Sequence, residues 1–123
     1  MIHPKKTVKS FGYAGRGLSA AWREEHNFRL EVLFALLAIA LATLLQLDAV
    51  RFSIIVLSCG FVLALELVNT MIEQISDLMK PRLDERVQKI KDLTAAAVLV
   101  ASLAALIVGL SILLPAALVF SWQ

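Results

Sequence analysis

The chain has 123 residues, 59 % of them hydrophobic and 18 % charged, with a mean hydropathy of +0.80 and a formal net charge of +2. Soluble domains carry roughly 45–50 % apolar residues, so this composition excludes a soluble globular enzyme, a disordered regulator and a collagen-like repeat. A mass of 13.5 kDa fits one domain, and the lone Cys59 excludes an internal disulfide or a cysteine-rich zinc site.

From about Thr7 to Asn27 the pattern is amphipathic. At about 100° per residue, Phe11, Ala14, Leu18, Trp22, Glu25 and Arg29 share one face, whereas Arg23 and Glu24 point elsewhere. This predicts an interfacial helix over residues 7–27, lying on the inner leaflet of a membrane. Gly12, Gly15 and Gly17 weaken its first half and leave room for a bend or a non-helical start. They imply no phosphate loop, because no strand precedes them. Met1 to Lys9 leads into a mixed segment rather than an apolar run, so no secretory signal peptide is expected.

Three apolar stretches follow: Val32 to Leu47, Phe52 to Ile75, and Leu93 to Phe120 with Pro115 near its end. A hydrocarbon core needs ~20 helical residues, so the first stretch extends back to about residue 30. The expected fold is an all-α membrane protein, a single membrane-embedded domain with an N-terminal interfacial helix and transmembrane helices over about 30–47, 52–75 and 93–120. In the third, Ala97, Ala101, Ala105 and Gly109 recur every four residues. That ridge either lets two helix backbones approach closely or is filler in an alanine-rich helix.

Charge gives the orientation. Lys5, Lys6, Lys9, Arg16, Arg23 and Arg29 precede the first span, and Lys80, Arg82, Arg86, Lys89 and Lys91 fill the connection between the second and third. Only Arg51 lies between the first two spans, and no Lys or Arg follows the third. The positive-inside rule then puts the N-terminus and the 78–92 connection in the cytoplasm and the C-terminus outside, with Trp122 at the outer interface.

Glu66 stands within an otherwise apolar run, where an acidic side chain costs ~2.5–3.5 kcal/mol even on gentle insertion scales. Asn69, Glu73 and Asp77 fall at about 300°, 340° and 20° from it, one stripe on one helical face. With lipid entry near Phe52, Glu66 lies ~21 Å along a ~30 Å core, and the stripe continues toward cytoplasmic water. A proton pathway would need polar groups on both sides of Glu66, yet only Ser58 and Ser53 lie outward of it. The asymmetry favours chemistry at the inner interface.

Phosphoryl transfer needs a base at an acceptor hydroxyl, carboxylates for Mg²⁺ and cations for the remaining phosphate charge. Glu66 suits the first role, Glu73 the second and Lys91 the third. Glu25 is a candidate second metal ligand because it shares the apolar face of its helix with Trp22; the alternative is a surface charge slightly out of phase. Glu24 and Glu31 point away from that face and are weaker candidates. Asp92 beside Lys91 has a purely structural alternative, complementing the N-terminus of the third span. His3 and His26 have no partner at ligand spacing. Two other classes compete with an enzyme: a small proton-coupled transporter and a noncatalytic membrane assembly subunit.

The run Glu66-Leu67-Val68-Asn69-Thr70-Met71-Ile72-Glu73-Gln74-Ile75-Ser76-Asp77 resembles the E-x-x-N-[ST]-x-I-E-x-x-x-D signature of the small prokaryotic integral-membrane diacylglycerol kinases. Gly12-Tyr13, Gly17-Leu18, Ala20-Ala21-Trp22, Glu25, Phe28-Arg29 and Lys91-Asp92 followed by Ala96-Ala97-Val98-Leu99 extend the likeness over nearly the whole chain. Met71, Leu93-Thr94-Ala95 and the 80–85 connection depart from the usual family residues. The resemblance implies a homotrimer with sites between subunits in the bacterial cytoplasmic (inner) membrane, transferring the ATP γ-phosphate to a lipid hydroxyl. It implies Glu66 as catalytic base, Glu25 and Glu73 as Mg²⁺ ligands, and Asn69, Asp77, Lys91 and Asp92 as nucleotide-side groups, with no nucleic-acid partner. Diacylglycerol is the expected acceptor and undecaprenol the alternative: Glu31 is similar to the first branch, whereas 25–29 and 68–70 are similar to the second.

Overall fold

A computed structural model describes residues 2–80 and 85–123. Arg82, counted above with the basic connection, lies outside these residues, as do Pro81, Leu83 and Asp84. The described residues form helices and short links without strands: α1 (Pro4–Glu24), α2 (His26–Leu44), α3 (Ala49–Leu78) and α4 (Glu85–Ser121). Three of them, α2, α3 and α4, are long and apolar enough to cross a membrane. The all-α architecture with one amphipathic and three apolar helices is therefore as the sequence implied.

The boundaries differ from those read in the sequence, for local reasons. α1 starts at Pro4, in its first turn, where the missing N–H costs nothing and the fixed φ favours the helix. It runs unbroken through Gly12, Gly15 and Gly17, none of which has a positive φ. It ends because Glu25 is extended (φ −110°, ψ 108°), and α2 begins at the next residue. The expected helix over residues 7–27 is thus an elbow, with the chain turning into its first span at Glu25.

α2 closes in a Schellman turn: Leu47 N–H donates to Ala42 O at 3.2 Å and Gln46 N–H to Thr43 O at 3.1 Å. Gln46 takes the left-handed position, with φ 53°. Beyond the turn, Arg51 pairs with Asp48 at 3.5 Å across the first turn of α3.

α3 has 30 residues and α4 has 37, lengths of about 45 and 55 Å against a hydrocarbon core of about 30 Å. The C-terminus of α3 and the N-terminus of α4 flank the 81–84 connection. Hydropathy ends the third span at Leu93, but the helix continues back through charged residues to Glu85. Asp92 therefore sits inside α4 and not at its N-terminus, which removes the helix-end role considered above.

α4 packs along α3, α2 packs against α3, and α1 meets α2 only near the elbow, where Ala21 is buried. Ala101 is buried within the single chain, 3 % exposed, and Ala105 is partly covered, whereas Ala97 is exposed. The small-residue ridge thus serves contact inside the chain at its middle. A Cβ at Gly109 would meet nothing within 4 Å, so no close approach in the chain requires that glycine. Among the described residues no large side chain is fully buried, and apolar side chains from Leu33 to Phe120 remain exposed.

Candidate active site

The α3 face turned inward is drawn by Ile55, Val62, Glu66, Asn69, Thr70 and Ser76. Its first members are apolar and its later ones polar, so one continuous helical face changes chemistry along its length. Glu66 is 3 % exposed and Asn69 9 % exposed, Glu73 is half-buried and Asp77 is exposed. Along the four residues of the sequence stripe, exposure rises from Glu66 to Asp77, while Ser76, next to Asp77, stays buried at 2 % exposed.

Asn69 Nδ2 donates to Glu73 Oε1 at 3.3 Å, an i to i+4 contact that holds one carboxylate oxygen in place. The Asn69 Oδ1 and the Thr70 hydroxyl are buried without a hydrogen-bond partner. Unpaired buried polar atoms are costly, and a ligand that pairs them recovers that cost. Asp77 accepts an ion pair from Lys80 at 3.1 Å in the last turn. On α4, Gln88 donates to Asp92 at 3.0 Å, and Lys91 forms no ion pair among the described residues. Lys91 and Asp92 lie in the first turns of α4, and Asp77 lies in the last turn of α3; no hydrogen bond or ion pair joins the two groups among the described residues.

Glu66 lies within electrostatic reach of Glu73 on its own helix and of Glu25 at the elbow. The structure therefore brings three of the sequence-derived carboxyl groups toward one another from two parts of the chain. No three His, Cys, Asp or Glu side chains among the described residues converge as a complete metal-binding cluster. Mg²⁺ is usually held by one or two carboxylates together with phosphate oxygens and water, so a two-carboxylate set fits it.

Glu31 was missed. Its charge interacts with that of Glu66, and its Oε2 is buried without a partner. It is also the one charged residue lining a groove of about 650 Å³ between α2, α3 and α4, whose walls include Phe34, Leu41, Leu106 and Leu110. Continuing the amphipathic phase past residue 25 points Glu31 away from the site, but the elbow resets that phase. The sequence carries one signal for it: an acidic residue at the edge of a predicted span.

Comparison with known proteins agrees with this geometry. The family described as "Prokaryotic diacylglycerol kinase" matches residues 12–113. A diacylglycerol kinase of Synechocystis sp. is 40 % identical over 107 residues, covering 86 % of this chain and 61 % of that protein, so this chain spans less than two thirds of that relative. A diacylglycerol kinase of Escherichia coli is 35 % identical over 83 % of this chain and 84 % of its own length. An undecaprenol kinase of Bacillus subtilis is 36 % identical over 87 % of each. The signature on α3, the three apolar helices and the extent of these matches lead to one conclusion: the chain belongs to the prokaryotic diacylglycerol kinase family.

Proposed function

We propose that this chain, as an ATP-dependent lipid kinase of the family, transfers the γ-phosphate of ATP to the free hydroxyl of diacylglycerol, giving phosphatidic acid and ADP. The observation that carries the reading is the burial gradient on α3, from Glu66 inside the protein to Asp77 in the open. A lipid hydroxyl and a water-borne triphosphate can meet only where one site spans both environments.

Glu66 accepts the proton of the acceptor hydroxyl, whose oxygen then bonds to the γ-phosphorus as the bond to the β,γ-bridging oxygen breaks. Glu25 and Glu73 hold Mg²⁺, with Asn69 fixing the Glu73 carboxylate. The bound ion supplies charge neutralisation on the triphosphate. Lys91 meets phosphate charge, and Asn69, Asp77 and Asp92 complete the nucleotide side. The apolar groove ending at Glu31 supports an acceptor whose hydrocarbon lies in the membrane.

The basic residues before α2 and around the α3–α4 connection support a cytoplasmic site and N-terminus, in a bacterial inner membrane. The likeness to the family implies a homotrimer, with sites completed between subunits. Undecaprenol is the second acceptor reading, favoured by the likeness to the Bacillus subtilis undecaprenol kinase. Purified protein in lipid, given labelled ATP and each alcohol separately, tests the proposal: preferential labelling of diacylglycerol supports it, labelling of undecaprenol alone replaces the acceptor, and labelling of neither overturns the kinase reading.

A further inference from the structure

A single residue joins the first two helices. Glu25 alone separates α1 from α2, and the bend is held from both sides: Glu25 N–H donates to Ala21 O at 2.9 Å, and Arg29 N–H donates to Glu25 O at 3.3 Å. A helix end leaves carbonyls without intrahelical donors. Here the guanidinium of Arg29, one turn into α2, reaches back over the bend. Its Nη1 donates to Trp22 O at 3.2 Å and to Arg23 O at 3.3 Å, both in the last turn of α1. A cation at that end also complements the helix dipole.

We propose that Arg29 is a positioning residue that locks the α1–α2 elbow and so fixes where the Glu25 carboxylate points. The inference rests on the assignment of Glu25 to Mg²⁺ proposed above. Glu25 is both the sole hinge residue and a group within electrostatic reach of Glu66, so any freedom in its backbone becomes freedom in the metal side of the site. Two bonds from one nitrogen to carbonyls of successive residues leave the elbow little room to swing. Arginine suits the task because its planar guanidinium stays charged and donates in fixed directions.

The test uses the full chain in lipid, with Arg29→Gln, Arg29→Lys, Glu25→Gln and the double variant Glu25→Gln/Arg29→Gln. Two quantities are read: amide hydrogen exchange over residues 21–29 in metal-free protein, and the Mg²⁺ concentration giving half-maximal rate. Arg29→Gln should accelerate exchange at the elbow about tenfold and raise the Mg²⁺ requirement about tenfold, the scale of losing a partner that orients a metal ligand. Arg29→Lys, which keeps the charge on a single flexible nitrogen, should lie between wild type and Gln in both. Glu25→Gln should raise the Mg²⁺ requirement without changing exchange, and adding Arg29→Gln to it should raise that requirement no further. Unchanged exchange in Arg29→Gln, or additive Mg²⁺ effects in the double variant, would overturn the inference. Should Arg29→Gln not accumulate, Arg29→Lys decides alone: faster elbow exchange with a wild-type Mg²⁺ requirement sinks it. A Glu25→Gln variant with normal Mg²⁺ dependence would instead sink the metal assignment.

Discussion

Asn69 Nδ2 and Glu73 Oε1 are joined at 3.3 Å along one face of α3, while Asn69 Oδ1 is buried with nothing to bond. The amide thus has one end committed to a carboxylate and one end free for a ligand. Asn69→Ala should raise the Mg²⁺ concentration for half-maximal rate about tenfold. Combined with Glu73→Gln, it should cost less than the sum of the single changes. Rate against Mg²⁺ for the three variants checks both statements.

Glu66→Gln keeps the volume of the buried side chain and removes its capacity to take a proton. Transfer should fall by about 10²- to 10⁴-fold, the usual worth of a general base, with helix content and nucleotide binding retained. Wild-type turnover in this variant would end the assignment of Glu66 as base.

Glu24 and Glu25 are neighbours in sequence but not in role: Glu24 is the last residue of α1, and Glu25 is the extended elbow. Glu25→Gln should raise the Mg²⁺ requirement at least roughly tenfold, as loss of a hard oxygen ligand weakens the site. Glu24→Gln should leave it within about twofold, the scatter expected of a surface substitution. Equal effects at the two positions would mean that α1 anchors the chain without completing the site.

Ala101 is buried where α4 packs within the chain. Ala101→Leu should lower stability by about 1–3 kcal/mol through overpacking, while Ala97→Leu at an exposed position should not. Thermal unfolding in detergent distinguishes the two, and equal midpoints would place the ridge against lipid or another subunit.

Gln46 holds a left-handed φ of 53° that a side chain makes unfavourable. Gln46→Gly should be neutral or stabilise by up to about 1 kcal/mol, and Gln46→Val should destabilise by at least about 1 kcal/mol. The same unfolding measurement ranks the three proteins.

What could be read from sequence follows from where helices break. Glu66, Asn69, Glu73 and Asp77 were placed together because α3 runs uninterrupted from Ala49 to Leu78, so phase alone fixes their common face. The nearness of Glu31 to Glu66 is not legible in the sequence, because Glu25 interrupts the phase and a single extended residue leaves no compositional mark. The start of α4 was lost for a different reason. Hydropathy reports where lipid ends, and a charged helix such as Glu85 to Asp92 continues beyond that point without any apolar signal. The inward turn of Ala101 was also beyond the pattern, since a small-residue ridge serves contacts within and between chains equally.

The contrast between buried Glu66 and exposed Asp77 on α3 has a kinetic consequence. In the proposed reaction its two ends draw on reservoirs of different dimensionality: the acceptor arrives by lateral diffusion in a sheet, and the donor arrives from a volume. Turnover should then depend on the mole fraction of acceptor in the bilayer and on the molarity of nucleotide outside it. Adding more vesicles of the same composition changes neither quantity, whereas diluting the acceptor with inert lipid slows the reaction at constant bulk concentration.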